Sequence, residues 1–350
     1  MESPKLQFYV IILFLSCFYG YILYRSSVTF ELGLFGMLFA TLLLVLFYPT
    51  VLYYDTRSSS LLNKSFYFWA NILIAFLFFY FSLLFIGEVI HIFYPIYYYS
   101  LTIYSLLLFS VLLTAVSYYN HTLLVVKQLT LERFGKKSTF VQLSDIHLGT
   151  LRQEKYLKRV LDKTLTLNPE FIIITGDIVD GNGKMKQQWF EPLKNVKVPI
   201  YFCMGNHDFY EGEDRVEKYL RTVGVIVLRN KTAKINGIDI VGLDYTPSEK
   251  QMHGYLDTLP KPQKATLLLN HLPIGYNHAL KKGYSIQFSG HTHNGQIIPF
   301  NLFVKLKFPK IMGLYKMGNY RLYVSPGTST WGPPLRLGSR NEITLVNTTV

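Results

Sequence analysis

Five short polar clusters punctuate the second half of the chain: Ser144-Asp145-Ile146-His147, Gly176-Asp177-Ile178-Val179-Asp180-Gly181, Gly205-Asn206-His207-Asp208, Asn270-His271 and Gly290-His291-Thr292-His293. They contain five of the nine histidines, each in a two-residue spacing with another polar group or close to a glycine. Carboxylate, carboxamide and imidazole without thiolate make a donor set for Mn, Fe or Zn. The set is too rich in histidine for Mg or Ca alone. Cys17 and Cys203 are the only cysteines and lie far apart in apolar surroundings, so neither a disulfide nor a thiolate metal site is expected.

Such groups act together only if the fold gathers them. Each cluster follows a short apolar run of strand character: Thr139–Leu143, Phe171–Thr175, Ile200–Met204, Thr266–Leu269 and Ser285–Ser289. Leu123–Leu131, Ile238–Leu243 and Tyr320–Val324 read as further strands. Gln153–Leu167, Gln187–Val196 and Arg215–Val223 have helical spacing. Strands alternating with helices predict a layered α/β domain, in which ligands bind beyond the carboxyl ends of the strands. In extended chain, residues i and i+2 point the same way, so Asp145 with His147, and His291 with His293, are expected as paired donors. The glycines at 176, 205 and 290 are expected to let the backbone turn just before each donor.

The ordered series Asp-x-His, Gly-Asp-x-x-Asp-Gly, Gly-Asn-His-Asp, Asn-His and Gly-His-Thr-His resembles the calcineurin-like metallophosphoesterase superfamily, over about Lys127 to the C-terminus. The resemblance implies a four-layer αββα sandwich and two divalent metals, Mn with Fe or Zn as alternatives, bridged by Asp177. Asp145, His147 and His293 would complete one metal; Asn206, His271 and His291 would complete the other. His207 would be the general acid or charge stabiliser, oriented by Asp208. Two cations roughly 3.5–4 Å apart clamp phosphoryl oxygens and lower the pKa of a bound water. Within the superfamily, Gly290–Gln296 and Arg336-Leu337-Gly338 are similar to bacterial membrane-associated phosphoesterases, among them UDP-diacylglucosamine pyrophosphatases. Those proteins commonly carry glycine where this chain has Asn294, and Pro-Glu where it has Asn341-Glu342.

Composition divides the chain in two. Residues 1–126 hold only Lys5, Arg25, Arg57 and Lys64 against Glu2, Glu31, Asp55 and Glu88, so the net charge of +13 belongs to the remainder. Leu6–Tyr24, Leu32–Tyr54, Phe66–Gly87 and Ile92–Val126 are uncharged, and roughly 20 apolar residues suffice for a membrane-crossing helix. The last stretch is expected to begin with an interfacial turn at Tyr94–Tyr99 and to continue as a helix over about Ile96–Tyr119. Glu88 and His91 fall at a helix end, within reach of interfacial water. The chain is thus expected to comprise about four transmembrane helices over 1–121 and the α/β metallophosphoesterase domain over 122–350. Lys5, Arg57, Lys64, Lys127, Arg133, Lys136 and Lys137 share one side of that arrangement. The positive-inside rule then puts both termini and the catalytic domain on the cytoplasmic side of the cell inner membrane.

Ile297–Tyr315 mixes Phe300, Leu302, Phe303, Leu306, Phe308 and Ile311 with Lys305, Lys307 and Lys310 and has no acid. That pattern suits a membrane interface, and it equally suits apolar side chains covering the sandwich beneath solvated lysines. The expected partners are the lipid bilayer and a phosphorylated lipid or nucleotide-lipid substrate. The basic excess permits a nuclease or cyclic-nucleotide phosphodiesterase, but the chain carries no recognised nucleic-acid module, and no nucleic-acid partner is expected. A non-catalytic scaffold or transporter is the third class. The intact donor series and the lack of charged or broken helices argue against it.

Overall fold

The computed structural model describes residues 4–57, 60–94, 100–132, 134–181, 185–262 and 265–350. The chain divides into two compact units, Met1–Tyr118 and Tyr119–Val350.

Among the described residues, the first unit is built from the helices α1 (Pro4–Phe30), α2 (Leu34–Arg57), α3 (Leu61–His91) and α4 (Ser100–Thr122). Helices satisfy every backbone polar group within the segment, as the hydrocarbon phase demands. Among the described residues, three stretches are long and apolar enough to cross a membrane: Leu34–Asp55, Leu61–His91 and Ser100–Thr122. Their outward side chains, such as Phe35, Leu38, Leu101 and Leu108, are apolar and exposed. Most of the Tyr94–Tyr99 turn and Arg133 lie outside the described residues. Glu88 also has protein partners. Helix α3 runs past it to His91, and its carboxylate pairs with Arg25 at 2.5 Å and accepts the Tyr21 hydroxyl at 3.1 Å.

In the second unit the strands are β1 (Leu124–Leu131), β2 (Ser138–Leu143), β3 (Phe171–Thr175), β4 (Ile200–Cys203), β5 (Ile226–Val227), β6 (Lys231–Ile235), β7 (Ile238–Gly242), β8 (Thr266–Leu269), β9 (Ile286–Ser289), β10 (Gly313–Met317), β11 (Tyr320–Val324) and β12 (Asn341–Thr348). Among the described residues they form two six-stranded sheets, ordered β1-β12-β2-β3-β4-β5 and β10-β11-β9-β8-β7-β6. The centre of each is parallel, β2-β3-β4 and β7-β8-β9. Parallel strands covered on both faces read as continuous apolar runs, which Phe171–Thr175 and Thr266–Leu269 are.

The helices are α5 (Glu154–Leu165), α6 (Asn206–Glu211), α7 (Glu213–Thr222), α8 (Glu249–Thr258), α9 (Tyr276–Lys282) and α10 (Phe300–Lys307). Gln187–Asn195 is a 3-10 helix rather than the expected α-helix, and Pro192 lies within it; proline cannot donate the interior hydrogen bond an α-helix requires. Three buried clusters define the layers. Phe140, Phe171 and Ile173 of the first sheet meet Leu267, Ile286 and Phe288 of the second, with the Phe140 and Phe171 rings stacked at 4.7 Å. Leu157 and Leu161 of α5, with Val216 and Leu220 of α7, cover the outer face of the first sheet. Met252 and Leu256 of α8 and Ala279 of α9 cover that of the second. The unit is a four-layer αββα sandwich.

Candidate metal centre

Every predicted donor lies just beyond a strand or at the start of the helix that follows it. The first sheet delivers Asp145 and His147 after β2, Asp177 after β3, and Asn206 and His207 at the start of α6 after β4. The second delivers His271 after β8, and His291 and His293 after β9. The β2–β3 ladder is prolonged past the strands: Asp145 N–H donates to Gly176 O at 3.1 Å and His147 N–H to Asp177 O at 3.1 Å. Across the gap between sheets, His291 N–H donates to the Asp145 carboxylate at 3.0 Å.

Extended-chain geometry does not pair these donors. Asp145, His147, Asp177, His291 and His293 all have φ between 49° and 68°, the left-handed region that side-chain-bearing residues seldom occupy. Alternation along a strand would aim a pair at one face of the sheet. Left-handed turns instead curl the backbone so that the donors converge at the sheet's end. Strain of this kind persists where the surroundings over-determine it, typically at functional sites. The glycines also act differently from expectation. Gly176 has φ of 84° and turns the chain, whereas Gly205 and Gly290 supply room. A Cβ on Gly205 would overlap the Asp177 carboxylate, and one on Gly290 would overlap Ser144 and Asp145.

Besides His147, Asp180 and His207, which also lie within reach of one another, two donor groups result among the described residues. Asp145, His147 and His293 form one, and Asp177, His271 and His291 the other; within each, the donor atoms lie within 4.8 Å of one another. His147 Nε2 is 3.1 Å from His293 Nε2, which is 3.4 Å from Asp145 Oδ1. In the second group, Asn206 Oδ1 is 2.9 Å from His291 Nδ1 and 3.2 Å from His271 Nε2. Asp177 Oδ2 lies 3.1 Å from His271 Nε2 and 3.9 Å from His147 Nε2, between the two groups.

Apart from His207 and His291, which are partly covered, these side chains are buried. Burial disfavours charge on His271, but the adjacent Asp177 carboxylate outweighs it and raises the imidazole to about 9. Burial and the charge on His271 push His291 down to about 3, and burial with the charge on His147 drives His293 well below its usual value. Imidazole nitrogens this close, with carboxylate and carboxamide oxygens among them, bring together more lone pairs than hydrogens. A pair of divalent cations fits these residues, and the donor chemistry suits Mn, Fe or Zn.

Ring orientation comes from groups behind the donors. His271 Nδ1 sits 2.8 Å from Thr175 O, which leaves Nε2 for the site. Behind His147, the Asp180 carboxylate is 3.2 Å from Nδ1, close enough for charge attraction though off line for a hydrogen bond. Asp180 also accepts His207 Nδ1 on its backbone carbonyl at 2.8 Å. The group set against the His207 ring nitrogen is therefore the Asp180 carbonyl rather than the Asp208 carboxylate. The Asp208 carboxylate is occupied by the backbone N–H groups of Asp177, Gly205 and Ile178 at 2.8–3.0 Å. Burial, then the charge on Asp177, raises it to about 7. The second aspartate of Gly-Asp-x-x-Asp-Gly was the available signal for Asp180.

Arg336 is the other residue that spacing alone misses. It is fully buried and donates to His293 O at 2.9 Å, Pro326 O at 2.6 Å and Asn341 Oδ1 at 3.0 Å. Asn341 in turn donates to His121 O at 2.6 Å, a bond that proline could not make. Asn294 has φ of 53°, a conformation that glycine or asparagine adopts at little cost.

The Calcineurin-like phosphoesterase profile matches residues 138–295. A metallophosphoesterase of Aquifex aeolicus is 31% identical over 253 residues, covering 66% of this chain and 94% of that protein. One from Helicobacter pylori strain J99 is 33% identical over 228 residues, 61% of this chain and 60% of the relative. The Danio rerio transmembrane protein with metallophosphoesterase domain is 33% identical over 231 residues, 58% of this chain and 51% of the relative. The chain belongs to the calcineurin-like metallophosphoesterase family. The match spans about three-fifths of the length of the Helicobacter relative and half that of the Danio one.

Proposed function

We propose that the protein is a membrane-anchored phosphohydrolase that uses two divalent cations to cleave a phosphoester or phosphoanhydride bond. The observation that carries this reading is the position of Asp177 Oδ2 between two buried donor groups. Asp145, His147 and His293 would hold one cation; Asn206, His271 and His291 the other; Asp177 both. When bound, such a pair polarises phosphoryl oxygens and makes water nucleophilic near neutral pH. His207 has its Nδ1 committed to Asp180 O, so Nε2 is the atom left to give a proton to the leaving oxygen. Asp180 lies against the imidazoles of both His147 and His207, which meet edge to face with ring centroids 4.8 Å apart.

For the substrate, a lipid-borne phosphate or pyrophosphate, such as a UDP-acylated sugar, fits best. Helix α10 follows the last donors and buries none of its residues; Phe300, Leu302, Phe303 and Leu306 are exposed beside Lys305 and Lys307. Apolar patches rimmed by cations are the surface expected of an element that meets anionic lipid. The basic loops at the ends of the membrane helices favour a catalytic unit on the cytoplasmic face of the inner membrane.

The test is a substrate panel with detergent-solubilised, Mn-loaded protein: a UDP-acylated sugar, a phospholipid, a generic aryl phosphodiester and single-stranded DNA. Wild type is expected to hydrolyse the lipid-borne phosphates, and Asp177→Ala and His207→Ala to lose that turnover. Equal activity in all three proteins would remove the proposed site. Preference for DNA would turn the reading toward a nuclease.

A further inference from the structure

Beside the donor groups, Gln296 lies on backbone of an unusual kind. Its φ of 60° and ψ of −49°, with Ile297 N–H donating to Gly295 O at 2.6 Å, describe a γ-turn of the positive-φ type, rare and strained. The side chain compensates locally. Its Nε2 donates to Trp331 O at 3.0 Å and Pro333 O at 2.8 Å, and its Oε1 accepts Trp331 N–H at 2.9 Å. Three bonds from the carboxamide of Gln296, three residues beyond His293, thus fix the Trp331-Gly332-Pro333 loop. The loop is stiff, with Gly332 turned at φ of 59° and prolines at 333 and 334.

What this clamp holds in place is an exposed indole. Trp331 is 54% accessible and its ring centroid is 5.9 Å from that of His207. Also beside His207, at 5.4 Å, is Tyr210, 65% accessible. Large aromatic groups left open to solvent on rigid backbone are binding surfaces, because little conformational freedom remains to be lost when something stacks on them. Neither ring is among the donor groups described above, and the hydrolytic roles assigned to those groups leave both rings without a task.

We propose that Tyr210 and Trp331 form an aromatic rim that selects the organic group carried on the phosphorus beside His207, favouring a bulky apolar or aromatic substituent, and that Gln296 is the positioning residue that keeps Trp331 in register. This rests on the reading of the donor groups as a phosphate site and adds to it a preference among esters. The phosphoryl oxygens go to the donor groups, while the substituent next to His207 leaves the metal centre between the two rings. A small hydrophilic substituent gains nothing there.

The experiment uses Mn-loaded, full-length protein in detergent and two probes with the same phosphonate head, phenylphosphonate and methylphosphonate. Binding is measured by calorimetry, and turnover of bis(p-nitrophenyl) phosphate is followed separately. Wild type is expected to bind the phenyl compound about tenfold more tightly, the scale of one aromatic contact. Trp331→Ala should bring the two probes within about twofold of each other. Gln296→Ala should lose part of the preference, and the Gln296→Ala/Trp331→Ala double variant should lose no more than Trp331→Ala alone, because a positioning residue has nothing left to position. A preference that survives Trp331→Ala, or losses that add in the double variant, overturns the proposal. Turnover without any phenyl preference in wild type leaves the hydrolase standing and removes the rim. Phosphonate binding without turnover does the reverse.

Discussion

His207 holds its Nδ1 2.8 Å from the carbonyl oxygen of Asp180, and the carboxylate of the same aspartate lies 3.2 Å from His147 Nδ1. One residue thus sets a proposed proton donor through its backbone and a proposed metal ligand through its side chain. Asp180→Asn separates the two duties, since it keeps the carbonyl and removes the charge. Groups behind a ligand commonly account for 10–100-fold in metal affinity. The variant is expected to bind Mn about tenfold or more weakly, and to recover turnover at saturating Mn. Titration of activity against free Mn checks this; unchanged affinity would count against the role given to Asp180.

Asp208 behaves as a structural anchor. Its removal strands the buried N–H groups of Asp177, Gly205 and Ile178, and each orphaned donor costs about 1–3 kcal/mol. Asp208→Ala should therefore lower stability by about 3 kcal/mol or more. Denaturant or thermal melts of the purified protein decide it, and a melt matching wild type contradicts the assignment.

Room, not turning, is what Gly205 provides. Gly205→Ala would force its methyl into the Asp177 carboxylate, and overpacking of a closed site costs about 1–3 kcal/mol. The prediction is loss of metal, with less than one Mn retained per chain by elemental analysis. Full occupancy in that variant would show that Asp177 can move aside.

Glu170 ties the two sheets at a different place. Its carboxylate accepts Thr139 N–H and the Ser138 hydroxyl, both at 3.0 Å and both on β2, and Asn236 Nδ2 at 2.7 Å from the β6–β7 hairpin. Burial is the largest single influence and works against its charge, but the three donors together outweigh it and lower its pKa. The unfolded chain therefore takes up the proton first as pH falls. Stability from this group is complete above the ordinary carboxylate range, and is lost as pH falls through the lowered folded value. Glu170→Gln should flatten that part of the acid-denaturation profile; an unchanged slope would show the carboxylate contributes nothing.

Much of this architecture is readable in one dimension. Phe171–Thr175 and Thr266–Leu269 are apolar without interruption because both faces are covered, and their bounds need no adjustment. The strands that escape notice do so for physical reasons. Lys231–Ile235 is an edge strand with two exposed lysines, and Asn341–Thr348 sets buried Asn341, Glu342 and Thr344 inside a sheet. Those polar groups are satisfied by distant partners, such as Tyr323 for Glu342 at 2.6 Å, which local pattern does not encode. At the site, residue types and order were legible, because cation-binding chemistry narrows them. The left-handed backbone was not. Neither was the contact of Asp180, rather than Asp208, with the His207 ring, since the two residues look equivalent until the chain folds.

Each donor group draws on both sheets: Asp145 and His147 from one with His293 from the other, and Asp177 and Asn206 with His271 and His291. A cation seated in either group is then a rivet through the mouth of the sandwich. Chelation should let the two halves breathe at that end, where faster amide exchange would appear at Asp145–Leu148 and Gly290–His293, while the end clasped by Glu170 stays shut. The joint that metal loss would loosen is then the one where substrate would enter.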